Sequence, residues 1–98
     1  MIAATQTGTE QRWVVEVFVS LKPAVNDPQG LAIRDGLHML GYDEVQEVRA
    51  GKYMQLEILA GDRATAEQRI TDMCEKLLAN TVIETYRFDI QPMSGQNT

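Results

Sequence analysis

Few residues in this chain could do chemistry: one histidine, one cysteine, a short acidic run and five methionines. His38 falls beside an apolar helical stripe, and no Cys or Ser lies at a partner spacing that it could activate. It reads as a partly buried or surface side chain. Cys74 lies on the inner side of an amphipathic helix, where a free thiol acts as a small hydrophobe. Asp43, Glu44 and Glu47 suggest a metal or acid–base pair only if a second ligand cluster is near, and the sequence offers none. A solvated strand edge is the plainer reading. Met39, Met54 and Met73 occupy apolar positions and read as core filler, not as copper ligands. No P-loop, Gly-x-Gly-x-x-Gly, Cys-x-x-Cys or basic-aromatic RNA-binding strand is present. No catalytic constellation survives.

Two segments remain that a core does not require. Leu21-Lys-Pro-Ala-Val-Asn-Asp-Pro-Gln-Gly30 forms a loop that feeds a helix N-terminus, a place that can host an anion or a partner carboxylate. Val48-Arg-Ala-Gly-Lys-Tyr53 sets two cations and an aromatic ring beside a glycine, and Arg and Tyr are favoured interface anchors. Plain turn chemistry explains both segments equally well.

The elements that must position these segments follow from periodicity. Trp13 to Leu21 alternates, with Val15, Val17, Val19 and Leu21 on one parity, so it reads as a strand with one fully apolar face. Asp27-Pro28 starts a helix, Asp as cap and Pro at the first helical position. Ile33, Leu37 and Leu40 form its stripe, and Gly41 is its stop. A second helix begins near Asp62 or Thr65, with Thr65 and Gln68 able to form a capping box. Ala66, Ile70, Met73 and Leu77 make its stripe, widened by Cys74 and Leu78, and Asn80 can end it in a left-handed turn. Tyr86, Phe88 and Ile90 alternate in a last strand.

Between the helices, Val48, Ala50, Met54, Leu56, Ile58 and Ala60 share one parity. A three-residue turn at Gly51 pairs Ala50 with Met54 and Val48 with Leu56, and keeps that parity. An unbroken strand from Val45 to Ala60 keeps it too, but runs about 50 Å. That overshoots a compact chain of this length, whose radius of gyration is about 13 Å, so it needs a second subunit at its far end. Either way the order is β-α-β-β-α-β. The expected fold is α+β and ferredoxin-like, an antiparallel four-stranded sheet with two helices, either closed by a hairpin or built as a strand-swapped dimer. One domain over residues 12–90 is expected, between a disordered tail at 1–11 and a flexible tail at 91–98.

Composition narrows the setting. With 98 residues, nine Lys plus Arg against fourteen Asp plus Glu, and a net charge of −5, the chain is a poor ligand for phosphate backbones, so no nucleic-acid partner is expected. One cysteine forms no internal disulfide, and one thiol with one histidine makes a poor zinc site. No apolar run reaches the ~20 residues of a membrane span, and the first ten residues lack the pattern of a signal peptide. A cytoplasmic protein without a membrane partner is expected.

The same segments resemble a known family. Val19-Ser-Leu-Lys-Pro…Asp-Pro-Gln-Gly30, Leu37-His…Leu-Gly-Tyr42, Val48-Arg-Ala-Gly-Lys52 and Met73-Cys-Glu-Lys-Leu-Leu-Ala-Asn80 are similar to the PurS family, over about residues 13–90. Thr81, where the family often has proline, and Ala50, where valine is usual, are mild departures. The resemblance implies a subunit of phosphoribosylformylglycinamidine synthase in purine (IMP) biosynthesis. In that step a large synthetase subunit (PurL) uses ATP and Mg, and a glutaminase subunit (PurQ) releases ammonia. The implied role is non-catalytic: a homodimer or higher homo-oligomer that helps the other two assemble and supports ammonia transfer, binding no cofactor itself. The motif positions carried over as partner-binding are Lys22, Pro23, Asp27, Pro28, Gln29, Gly30, Arg49, Gly51 and Lys52; Tyr53 joins them from the residue reading.

Two rivals share the element order. An ACT-type module binds amino acids through a glycine after the first strand, where this chain has Lys22-Pro23. An acylphosphatase-type enzyme needs a phosphate-cradling loop with arginine there, which is absent.

Overall fold

The structure is a computed structural model and describes residues 10–93. Strand β1 (Gln11–Leu21) forms because its alternating valines can bury one face, and Trp13, Val15, Val17 and Val19 are almost wholly buried. Helix α1 (Pro28–Met39) starts where Asp27 caps it, its Oδ1 accepting from Gly30 N at 2.9 Å. It stops at Gly41, whose φ of +99° only glycine adopts without strain. Strand β2 (Gly51–Ala60) follows, then α2 (Arg63–Met73) and β3 (Glu84–Pro92).

The sheet has the order β2-β1-β3, both pairings antiparallel. Val15 faces Leu56 and Ile90 across the ladders, and Val17 faces Met54 and Phe88, so apolar side chains from all three strands share one face. Helix α2 lays Ala66, Ile70 and Cys74 on that face. At its edge the Trp13 indole donates to the Ala60 carbonyl at 3.1 Å, which satisfies its one polar atom in the core. The opposite face carries Phe18 against Tyr53, centroids 5.3 Å apart, with the Arg87 guanidinium 4.0 Å above the Phe18 ring.

Helix α1 does not join this core. It makes no extensive contact with the sheet or α2, and Met39 and Leu40 are 88% and 74% exposed. Its neighbour is the extended segment 45–50, which runs back along it: His38 Nε2 donates to Val45 O at 2.8 Å, and Gly30 lies against the Val48 carbonyl. The two form an arm projecting from the end of β1. The described chain spans 61 × 34 × 18 Å with a radius of gyration of 18.7 Å, far above the ~13 Å of a compact chain this long.

Several expectations are corrected. Three strands are described, not four, because residues 45–50 pair with no strand, and the chain passes Gly51 without a turn. Gly51, Lys52 and Tyr53 are held in the ladder opposite Ser20, Val19 and Phe18, which leaves no residues free to form the hairpin. Met39 and Leu40, expected inside, are exposed because the sheet of their own chain lies out of reach, and Leu77 is exposed for want of a covering layer. Asp62, not Thr65, caps α2, its Oδ1 accepting from Thr65 N at 2.8 Å, and Gln68 turns to Asp72 instead. The helix closes in one π-helical turn, Cys74–Leu78, with extended Ala79 after it. Asn80 keeps a negative φ and caps the next turn through Val82 N at 3.2 Å. Gln11, Gln91 and Pro92, expected in the tails, belong to strands because β1 and β3 pair as far as Trp13 and Pro92, and β1 meets Ala60 at Gln11. The rest of both tails, residues 1–9 and 94–98, lies outside the described residues.

Candidate functional site

The two segments singled out in the sequence meet at one junction, where β1 ends and β2 begins. Its centre is Asp27, 5% exposed and the one buried charged side chain among the described residues. One carboxylate oxygen caps α1 at Gly30 N. The other accepts from Ala50 N at 2.8 Å. These two amides, helped by the Arg49 charge, hold its carboxyl below the usual carboxylate range against the opposing effect of burial.

Arg49 closes the junction from the other side. Its Nη2 donates to the Lys22 and Val25 carbonyls at 2.9 and 3.0 Å and ties down the loop between β1 and α1. Lys22 N in turn donates to Ile83 O at 2.8 Å, which links that loop to the turn before β3. Gly30 and Gly51 are glycines of close approach. A Cβ at Gly30 would strike the Val48 carbonyl oxygen, and one at Gly51 the Val19 carbonyl oxygen. The motif therefore encodes a backbone junction first.

The remaining motif residues are outward. Pro23, Pro28, Gln29, Lys52 and Tyr53 are exposed. Lys52 Nζ sits 3.6 Å from Glu84 Oε2, a pair still open to solvent on the lysine side. Tyr53 donates from its hydroxyl to Glu16 Oε2 at 2.7 Å, and this bond is the main reason its pKa is raised. Arg49 and Lys52 thus do not form one free cationic patch, since the guanidinium of Arg49 is turned into its own chain.

His38 spends Nε2 on the arm. Cys74 is wholly buried, and burial, with the Glu75 charge beside it, pushes its thiol pKa up. Asp43, Glu44 and Glu47 are exposed, and among the described residues no three His, Cys, Asp or Glu side chains gather to hold a metal.

Sequence reasoning missed two features. The second bond of Asp27 spans 23 residues, so no local signal announces it. A mostly apolar hollow of about 440 Å³ opens between β2 and α2, lined by Leu56, Met73, Leu77 and Leu78 together with Arg69, Asp72 and Lys76.

Comparison with known proteins places the chain in a family. Residues 14–92 match the family model described as PurS, phosphoribosylformylglycinamidine (FGAM) synthase. The phosphoribosylformylglycinamidine synthase subunit PurS of Synechocystis is 51% identical over 82 residues, covering 84% of this chain and 82% of that protein. The Bacillus subtilis subunit is 52% identical, covering 84% and 96%. A solved B. subtilis PurS structure superposes with a TM-score of 0.74 over 81% of this chain and 98% of its own. A chain of PurLQS from Thermotoga maritima does so with a TM-score of 0.73 at 28% identity, over 84% and 98%. This chain belongs to the PurS family of phosphoribosylformylglycinamidine synthase subunits.

Proposed function

We propose that this chain is a non-catalytic assembly subunit that bridges the ATP-dependent synthetase and the glutaminase of the synthase and supports ammonia transfer between them. The match over residues 14–92 carries this reading. The kinship with a chain of PurLQS supports the two partners. Pro23, Pro28, Gln29, Lys52 and Tyr53 are the exposed side chains that can meet a partner, while Asp27, Gly30, Arg49 and Gly51 shape the surface beneath them. The synthetase partner supplies ATP and Mg. The ACT-type alternative is not favoured, since the curated relatives named above are synthase subunits. The test is reconstitution: glutamine-dependent amidation by the synthetase and glutaminase together is expected to require this chain, which alone turns over neither ATP nor glutamine. Full activity without it refutes the role.

The subunit works, in this reading, as a dimer with exchanged arms. Two observations support a second copy as the occupant of the open surface. Strand β2 has a free edge, and residues 45–50 of a second copy could pair there with Ala50 opposite Met54 and Val48 opposite Leu56, which keeps the apolar parity. The α1 of that copy would bring Ile33, Leu37 and Leu40 to the apolar hollow beside β2.

A further inference from the structure

We propose that Asp27 is the positioning residue that keeps the arm extended, and that it thereby decides between an intrachain hairpin and an arm offered to a second copy. The proposal rests on the exchanged-arm reading and goes beyond it, since it assigns the choice between the two forms to one side chain.

A hairpin with the correct parity pairs Ala50 with Met54 and places Gly51, Lys52 and Tyr53 in the turn. Here the same three residues continue straight into the ladder with β1. Ala50 is the last residue before them, and Asp27 Oδ2 holds its amide at 2.8 Å. The other oxygen of the same carboxylate fixes the first turn of α1, so the helix start and the strand start are tied to one group.

The rest of the arm is built to follow. Gly30 lets α1 touch the Val48 carbonyl, and His38 pins Val45 near the tip. Arg49 fastens the loop at the root through two carbonyls. The arm therefore moves as a unit, and its direction is set where it joins β1 and β2. Asp27 is buried at that point, where a hydrogen bond to a charged acceptor is stronger than in water. An arm already held in its docking geometry loses less freedom on binding a second copy.

Asp27→Asn and Asp27→Ser separate the two jobs of this side chain. Each keeps one acceptor oxygen and remains a good helix cap, but neither offers the second carboxylate oxygen to which Ala50 N donates. Spin labels at Asp35→Cys and Leu59→Cys report the distance from the arm to the far end of β2. The buried Cys74 stays unlabelled, and dilution with unlabelled chain isolates distances within one chain. The wild type is expected to give one long distance. Both variants are expected to keep their helical circular dichroism, to gain a second, short-distance population, and to dimerise at least about tenfold more weakly, the scale of one lost charge-assisted hydrogen bond. An unchanged distance distribution in both variants overturns the proposal. A wild type that sediments as a monomer overturns the dimer reading instead, and the distance distributions still judge Asp27.

Discussion

Leu40→Ala tests whether a second copy covers α1. Leu40 is 74% exposed at the end of a stripe it shares with Ile33 and Leu37. Fully burying a leucine side chain is worth roughly 1.5–3 kcal/mol, so covering the exposed three-quarters contributes about 1–2 kcal/mol per copy. A symmetric dimer carries the contact twice and loses about 2–4 kcal/mol, which raises the dissociation constant about 30- to 1,000-fold. If α1 stays in water, the same change alters stability by less than ~0.5 kcal/mol and the dissociation constant by no more than about twofold. Sedimentation equilibrium from nanomolar to micromolar concentration measures the difference directly. Asp35→Ala, which lies opposite the stripe, is the matched control and is expected to leave the dimer unchanged. A dissociation constant for Leu40→Ala within about twofold of the wild type refutes the placement of α1 in the interface.

Other outcomes follow from the same contacts. Gly30→Ala drives a methyl into the Val48 carbonyl and is expected to destabilise the fold by ~1–3 kcal/mol, whereas Gly36→Ala, with open space at its Cβ, stabilises α1 by ~0.5–1 kcal/mol; thermal melting separates them. The Tyr86 hydroxyl donates to Glu75 Oε2 at 2.7 Å and its pKa is raised to about 12, so the bond stabilises the fold below the ordinary tyrosine value of 10.0. That contribution fades as pH climbs from 10.0 towards 12, and Tyr86→Phe is expected to flatten this alkaline loss of stability in melts taken across the range. Asp27 and Asp62 have lowered pKa values, so their caps are fully present above 3.8 and are lost as pH falls below it, visible as acid-induced loss of helical circular dichroism. Lys52→Ala is expected to melt normally and to weaken synthetase binding more at low salt than at high salt; equal affinity at both salt levels removes Lys52 from the partner surface.

Local chemistry was legible in the sequence. The parity of β1 announces its buried face, Asp27-Pro28 announces the start of α1, and Gly41 announces its end, because each depends on residues within a turn of one another. The motif residues were legible as a group, and they do meet at one place in the fold. Their division of labour was not. Asp27 and Arg49 act on Ala50 and on the Lys22 and Val25 carbonyls across 23 to 27 residues, distances over which spacing carries no signal.

The path of the chain through Gly51 belongs to the tertiary structure alone. A turn and a straight strand give Val48, Ala50, Met54 and Leu56 the same parity, so the hydrophobic pattern is silent between them. The long-range pairing of Gly51, Lys52 and Tyr53 with β1 decides it. The fate of Ile33, Leu37 and Leu40 follows from that decision. Periodicity determines that these side chains seek cover on one face of α1, but the hydrophobic effect has no direction and no preference for its own chain. Where the backbone carries the helix away from its own sheet, the described residues of the chain leave that face uncovered.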